Sequence, residues 1–342
     1  MMVRILKNIT YRIFQFCFYY GSRLLPWREP QILKGPGSIA KLPEILHAEK
    51  ISPVLVVTDQ QLIKIGLADR LLKTLNEAHI AYHVFDAVEA NPSTETVETL
   101  RNFFIEKSCR AFVAIGGGSV MDAAKAAAAR IARPKKSLAR LGGFLKVIRR
   151  TPTVIAIPTT AGTGSEATIV AVVTDSETHR KYAISDLPLI PRFAVLDPEL
   201  TVGLPPSVTA ATGMDALTHA VESYLCRFVS TRCRRYCKET VALIFQNLPV
   251  VFENGNDLAA RQNMLTASYL AGVAFTRSGL NYIHPIAHTL GGLYRIPHGL
   301  ANAVILPKAL DYYGKIVHKK LSELACAAGL AVEGQTDSDA AS

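Results

Sequence analysis

The sequence predicts an α/β fold on a buried parallel sheet in its first part, followed by a part that is all helix. Three observations carry this. Short continuous apolar runs rich in β-branched residues recur after Glu29, as at Val54-Leu55-Val56-Val57 and Ala111-Phe112-Val113-Ala114-Ile115. Such runs fit strands covered on both faces. Two of the runs lead straight into glycine-rich polar loops, and after Pro205-Pro206 the strand signals cease.

Composition narrows the class. The 342 residues are 49% hydrophobic and 19% charged, enough for two domains with a large core and unlike a disordered chain. Apolar runs stay at about ten residues or fewer, short of the roughly 20 that cross a bilayer. The net charge is +10, and Arg4, Lys7, Arg12, Arg23 and Arg28 gather near the start against Glu29 alone. No basic stripe with interleaved aromatics follows, so no nucleic-acid partner is expected. Cys17, Cys109, Cys226, Cys233, Cys237 and Cys326 form no C-x-x-C pair and read as reduced thiols of a cytoplasmic protein. Lys7 and Arg12 interrupt what would be the apolar core of a secretory signal.

Residues 1–28 form a separate basic amphipathic segment closed by Pro26-Trp27-Arg28. Such a helix can lie on an anionic membrane surface, but packing on its own protein or on an oligomer partner is the favoured expectation. The α/β part is expected over residues 29–200. Val54–Thr58 is its first strand, stopping at Asp59, with a helical segment from Gln60 to His79. Tyr82–Phe85 is a second strand, and Asn91-Pro92-Ser93 turns and caps a helix from Thr94 to Lys107. The strand at Ala111–Ile115 runs into Gly116-Gly117-Gly118-Ser119 and an Ala-rich helix from Met121 to Ile131. A strand at Val154–Pro158 runs into Thr159–Glu166. Ile169–Thr174 and Lys181–Ser185 read as a hairpin, and Phe193–Leu196 as a last strand before the helical part at 201–342. At the end of the chain, Thr336 or Ser338 would be a normal N-cap, so the sequence stops where another helix would begin.

Glycines let backbone N–H groups approach a phosphate, and a helix N-terminus adds a favourable dipole. Gly116, Gly117, Gly118 and Ser119 are placed for this, although they do not spell G-x-G-x-x-G and no acidic residue follows about twenty positions on. The second loop adds hydroxyls at Thr159, Thr160, Thr163 and Ser165. Two polar loops at strand C-termini of one sheet predict a Rossmann-like dinucleotide crevice. Asp59 would accept from ribose hydroxyls and repel a 2′-phosphate, favouring NAD over NADP, or else cap the next helix.

Four of the nine histidines fall between Gly213 and His298. Asp215/His219 and His284/His288 are i,i+4 pairs, which share one helix face, and His298 follows. Asp215, His219, His284 and His298 are candidate ligands of Fe²⁺ or Zn²⁺, a nitrogen/oxygen set suited to either, with His288 beside them as a base.

These residues carry a resemblance. From about Glu29 to Leu330 the chain resembles the iron-containing (group III) alcohol dehydrogenases. The resemblance rests on Thr58-Asp59, Gly116–Lys125, Pro158–Glu166, Gly213–Glu222 and His284 through Pro307, in order and spacing. It implies a dinucleotide-binding domain and a helical domain with the metal in the cleft between them, and a homodimer or larger homo-oligomer. Carried over by position, Asp215, His219, His284 and His298 would hold the ion, with His288 near metal and nicotinamide. Gly116, Gly117, Gly118, Ser119 and Asp122 would line the pyrophosphate side. Thr159, Thr160, Thr163 and Ser165 would contact the phosphate and nicotinamide half, and Lys181 the ribose region. Family members usually continue for several more helices, so the resemblance implies a helical domain cut short here. Some members carry a similar Pro-Trp-Arg-Glu-Pro lead-in.

The expected activity is a metal-dependent alcohol dehydrogenase or aldehyde reductase using NAD(H), with His288 relaying the proton. A dehydroquinate synthase-like reaction is disfavoured, because those relatives carry Glu in place of the aspartate. Glycerol dehydrogenases usually present three protein ligands, not four. The remaining alternative is a truncated, catalytically impaired form. Phe275, Leu280, Tyr282 and Ile283 suggest a short aliphatic alcohol, with a diol equally compatible.

Overall fold

The computed structural model describes residues 20–21, 25–178, 180–227, 229–294, 296–331 and 335–340. Most of the basic segment expected over residues 1–28 lies outside the described residues. The first part holds a six-stranded sheet in the order β1-β9-β6-β4-β2-β3. These strands are β1 (Gln31–Lys34), β2 (Val54–Val57), β3 (Tyr82–Phe85), β4 (Ala111–Gly116), β6 (Thr153–Pro158) and β9 (Phe193–Leu196), and every pairing is parallel.

Strand alternation explains the continuous apolar runs. Leu55, Val57, Phe112, Ala114, Val154 and Ala156 face one core, while Val54, Val56, Val113, Ile115, Ile155 and Ile157 face the other. Each aliphatic side chain larger than Ala buried this way contributes about 1.5–3 kcal/mol. Helix α5 (Gly118–Ala132) lies on the first face, and its buried alanines allow close approach to the sheet.

Two elements differ from the sequence reading. The helix expected from Gln60 to His79 is broken into α2 (Gln60–Lys64) and α3 (Asp69–Glu77). Gly66 between them has φ 72°, a left-handed conformation no α-helix can pass through. Strand β1 was not anticipated, because as an edge strand it leaves Ile32 42% exposed and lacks a buried run. The anticipated cap forms, with Ser93 Oγ accepting from Thr96 N at the start of α4 (Thr94–Glu106). The hairpin of β7 (Val170–Thr174) and β8 (Lys181–Ser185) is antiparallel, and β5 (Gly143–Phe144) joins it as a second sheet.

The helical part comprises α7 (Pro206–Leu225), α8 (Thr231–Glu253), α9 (Leu258–Ser278), α10 (Ile283–Tyr294), α11 (His298–Tyr313) and α12 (His318–Ala328). Helix α7 is central, packing on α8, α9 and α11. Its core also takes in Ala161, Ala167, Ala194 and Leu196 from the α/β part, so the two parts share buried surface. A strap crosses between them. Glu29 pairs with Arg232 of α8 and Arg277 of α9, both at 2.9 Å, while Arg28 donates to the carbonyls of Ile190 and Pro191. Among the described residues no helix is long and apolar enough to cross a membrane.

Candidate active site

A cleft of about 650 Å³ opens where β2, β4 and β6 end, walled by Asp59, Gly117, Ser119 and Thr160 and, across from them, by Pro205 and Val208. Helix α5 starts at this cleft with Gly117 as N-cap and no capping side chain. Its first N–H groups are therefore open to an anion such as a pyrophosphate. The three glycines divide by role. A Cβ on Gly116 would stand 2.6 Å from Val120 Cγ2, and one on Gly118 2.7 Å from Thr163 Cγ2, so internal packing demands both. At Gly117 the nearest atom is Thr160 Oγ1 at 3.7 Å, and there the missing side chain leaves room for a ligand.

Asp59 forms the anticipated helix cap and also borders the cleft. Its Oδ1 accepts from Leu62 N at 2.9 Å, capping α2, and the residue lines the cleft. Ser119 Oγ accepts from Asn91 N at 3.2 Å, and Thr159 N donates to Gly116 O at 3.0 Å, joining the two loops. Thr163 Oγ1 accepts from Ser165 N. Lys181, at the start of β8, donates to Asn91 Oδ1 at 2.6 Å.

Asp122 and Ser165, to which the resemblance gives cofactor roles, are bonded to each other and to the protein. Asp122 Oδ1 accepts from Ser165 Oγ at 2.7 Å, and Oδ2 accepts from Val172 N at 3.0 Å. Ser165 is buried, its Oγ also accepting from Lys125 Nζ at 2.9 Å. Lys125 was passed over by sequence reasoning. It is fully buried on α5 and donates to the Ser165, Thr168 and Val170 carbonyls and to Thr168 Oγ1. Buried polar groups need partners, and here they shape the underside of the hydroxyl loop. Burial pulls the Lys125 ammonium down to about 8 against the attraction of Asp122 and Glu166, and pushes the Glu166 carboxyl up to about 7. A lone lysine among the alanines of α5 was the available signal.

In the helical part, α7, α10 and α11 bring their polar heads together. One ligand atom each from Asp215, His284 and His298 lie within 4.8 Å of one another. Asp215 and His284 are buried, and His298 is half-buried. Asn302, one turn beyond His298, donates Nδ2 to Asp215 Oδ1 at 2.7 Å and lies 3.2 Å and 3.3 Å from the Nε2 atoms of His284 and His298. His219 stands beside this trio, its ring stacked between Phe275 at 4.3 Å and His284 at 4.2 Å. The His219 Nδ1 is buried without a hydrogen-bond partner. His288 stacks on His298 at 4.6 Å and lies 6.4 Å from the His284 ring. Of the apolar residues read as substrate contacts, Ile283 is buried in the helical core, Tyr282 is 69% exposed, and Phe275 is in contact with His219.

The electrostatics follow from this crowding. Burial pushes the Asp215 carboxyl up, but the surrounding imidazoles overcome it and hold it well below the usual carboxylate range. Burial drives His219 down to about 3, and burial with the charge of His298 drives His288 to about 4. Burial lowers His298 as well. His284 goes the other way, to about 9, because Asp215 and Glu222 outweigh its burial. Glu222 is a second residue without an assigned role in the sequence. It sits at i+7 from Asp215, and its carboxylate contacts His284 Nδ1.

A carboxylate held ionised and the neutral imidazoles of His219 and His298 are protonation states a divalent ion requires, while His284 would release its proton on binding. One carboxylate and two imidazoles with ligand atoms within 4.8 Å of one another, and the His219 ring stacked on His284, are a nitrogen/oxygen set that fits Fe²⁺ or Zn²⁺.

A nucleotide-type crevice in the α/β part and a carboxylate–imidazole cluster in the helical part are the features of a metal-dependent dehydrogenase. Residues 29–198 match the family described as iron-containing alcohol dehydrogenase, and residues 209–342 match the C-terminal part of that family. The chain is 40% identical over 274 residues to alcohol dehydrogenase 4 of Schizosaccharomyces pombe, covering 80% of this chain and 65% of that protein. It is 38% identical over 309 residues to 1,3-propanediol dehydrogenase of Klebsiella pneumoniae, covering 90% of this chain and 80% of that one. A crystal structure of 1,3-propanediol oxidoreductase superimposes with a TM-score of 0.89 at 37% identity, over 93% of this chain and 83% of the other. An alcohol dehydrogenase from Oenococcus oeni gives 0.88 at 34% identity, over 92% and 83%. The chain belongs to the iron-containing alcohol dehydrogenase family, a family of NAD-dependent alcohol oxidoreductases.

Proposed function

We propose that this chain interconverts a short-chain alcohol and its aldehyde with NAD(H), using Fe²⁺ or Zn²⁺ held by Asp215, His219, His284 and His298. The observation that carries this reading is the convergence of Asp215, His284 and His298, in a chain whose α5 also starts uncapped at a cleft. In this reading residues 29–200 bind the nucleotide and 201–342 hold the ion. The named substrates of relatives, 1,3-propanediol and methanol, are small alcohols, which supports a small substrate and leaves mono-alcohol and diol to be separated by assay.

The ion supplies Lewis acidity toward the substrate oxygen, and the nicotinamide accepts or donates the hydride. The protein supplies the rest. Gly117 and the first turn of α5 would hold a pyrophosphate, with Thr160 and Ser119 bordering the same cleft. Phe275 and the buried rings of His219 and His284 exclude water from the inner side of the cluster. His288, neutral at physiological pH because burial and nearby cations depress it, is placed to take a proton from the substrate hydroxyl or return one. The described cysteines are all free thiols, which supports a cytoplasmic setting, and a homodimer or larger homo-oligomer completes the proposal.

The test is metal analysis of the purified chain together with NADH and NADPH oxidation against a panel of short aldehydes. If His284→Ala kept both metal and turnover, the assignment would be wrong.

A further inference from the structure

Glu222 is fully buried on α7, and its side chain is directed wholly at the start of α10. Oε1 accepts from the N–H groups of Asn281 and Ile283, each at 2.9 Å. Oε2 accepts from His284 N at 3.3 Å and is hydrogen-bonded to His284 Nδ1. Both carboxylate oxygens already accept from backbone N–H groups, so this side chain acts as an acceptor and the ring nitrogen facing it carries the proton. The other nitrogen, Nε2, then turns to the cluster, 3.5 Å from Asp215 Oδ1 and 3.2 Å from Asn302 Nδ2.

We propose that Glu222 is a positioning residue that keeps the His284 proton on Nδ1 and so presents Nε2 to the metal. This rests on the metal-site reading above. A plain helix cap would explain the contacts to Asn281 and Ile283, but it would not need an acceptor at Nδ1. Hydrogen-bonded carboxylates behind ligating histidines commonly set ring orientation and ligand basicity.

Glu222→Gln separates the two roles. The amide oxygen goes to the two N–H groups of Asn281 and Ile283, since the opposite orientation would set a donor against both. The amide nitrogen then faces His284 Nδ1 and donates to it, moving the ring proton to Nε2, where it blocks ligation. The contacts from Asn281 N and Ile283 N survive; the longer one from His284 N at 3.3 Å and the tautomer do not.

The experiment measures Zn²⁺ affinity by chelator competition, with thermal unfolding alongside, for the wild type, Glu222→Gln and His284→Ala. The expected result is a folded Glu222→Gln protein whose Zn²⁺ affinity falls about 10- to 100-fold. Unchanged affinity would overturn the proposal and leave Glu222 as a cap. No Zn²⁺ binding by the wild type, or full binding by His284→Ala, would instead sink the metal-site reading. A second measurement needs no Glu222 variant: nitrogen-15 spectra of the histidine rings in the Zn²⁺-loaded wild type, with His284→Ala for assignment. The His284 ring should show a protonated Nδ1 and a metal-bound Nε2; ligation through Nδ1 would overturn the proposal.

Discussion

Gly164 and Gly272 meet backbone against backbone. A Cβ on Gly164 would stand 2.7 Å from Gly272 Cα, and one on Gly272 would stand 2.6 Å from the Gly164 carbonyl oxygen. Gly164 lies at φ 60° in the hydroxyl loop after β6, and Gly272 lies within α9. Ser268 Oγ, one turn before Gly272, accepts from Gly164 N at 3.1 Å. The loop that borders the nucleotide crevice is thus seated directly on the helical part.

Gly272→Ala should therefore destabilise the protein and weaken cofactor binding together. The substitution gains about 1 kcal/mol of helix propensity. It also drives a methyl into a carbonyl that cannot rotate away, and overpacking of this kind costs about 1–3 kcal/mol. A net loss of thermal stability with a raised KM for NADH is expected. A more stable variant with unchanged KM would show that the contact yields.

The observed capping role of Asp59 and its proposed cofactor role can be separated. Asp59→Ala removes both the cap and the charge, costing about 1 kcal/mol of stability and relaxing discrimination against NADPH. Asp59→Ser keeps a capping oxygen and removes only the carboxylate. It should retain stability while the ratio of kcat/KM for NADPH over NADH rises. If that ratio stays at the wild-type value in both variants, Asp59 serves α2 alone.

Metal binding should appear as stability. An ion bound only by the folded chain raises stability with its free concentration. Zn²⁺ or Fe²⁺ under anaerobic conditions should raise the wild-type Tm, and chelator should reverse the gain. Asp215→Ala and His284→Ala should show little of this response, as thermal scans across a metal titration would reveal.

Lys125 makes a prediction in pH. Burial pulls it down to about 8, whereas a lysine in the unfolded chain sits near 10.4. Between those values the unfolded chain holds a proton the folded chain has released. The wild type should therefore gain stability with rising pH relative to Lys125→Met, with the penalty on the charged form fully present below about 8 and relieved above about 10.4. Paired unfolding curves from pH 7 to 10 test this, and a difference that moves the opposite way would contradict the burial argument.

Much of the site was legible because its residues are local in sequence. Asp215 and His219, and His284 and His288, are turn-spaced pairs, and helix geometry alone puts each pair on one face. The glycine and hydroxyl loops were legible because they follow buried strands. That Asp122 and Ser165 are tied to each other and to the buried Lys125 was not legible, because nothing local says that these three meet. Strand β1 escaped notice because its pairing with β9 joins residues more than 150 positions apart.

Sequence by itself determined the class of the fold, the two polar loops and the types of residue that can hold an ion. Those depend on periodicity and side-chain chemistry, which are properties of short stretches. Only the tertiary structure decided which of them meet: that Asp215, His284 and His298 converge while His219 stacks beside them, that Asp122 and Ser165 are bonded to each other, and that Glu222 backs His284. The reason is physical. Burial and hydrogen-bond satisfaction are settled between elements distant in the chain, when α7, α10 and α11 pack and each buried polar atom must find its partner.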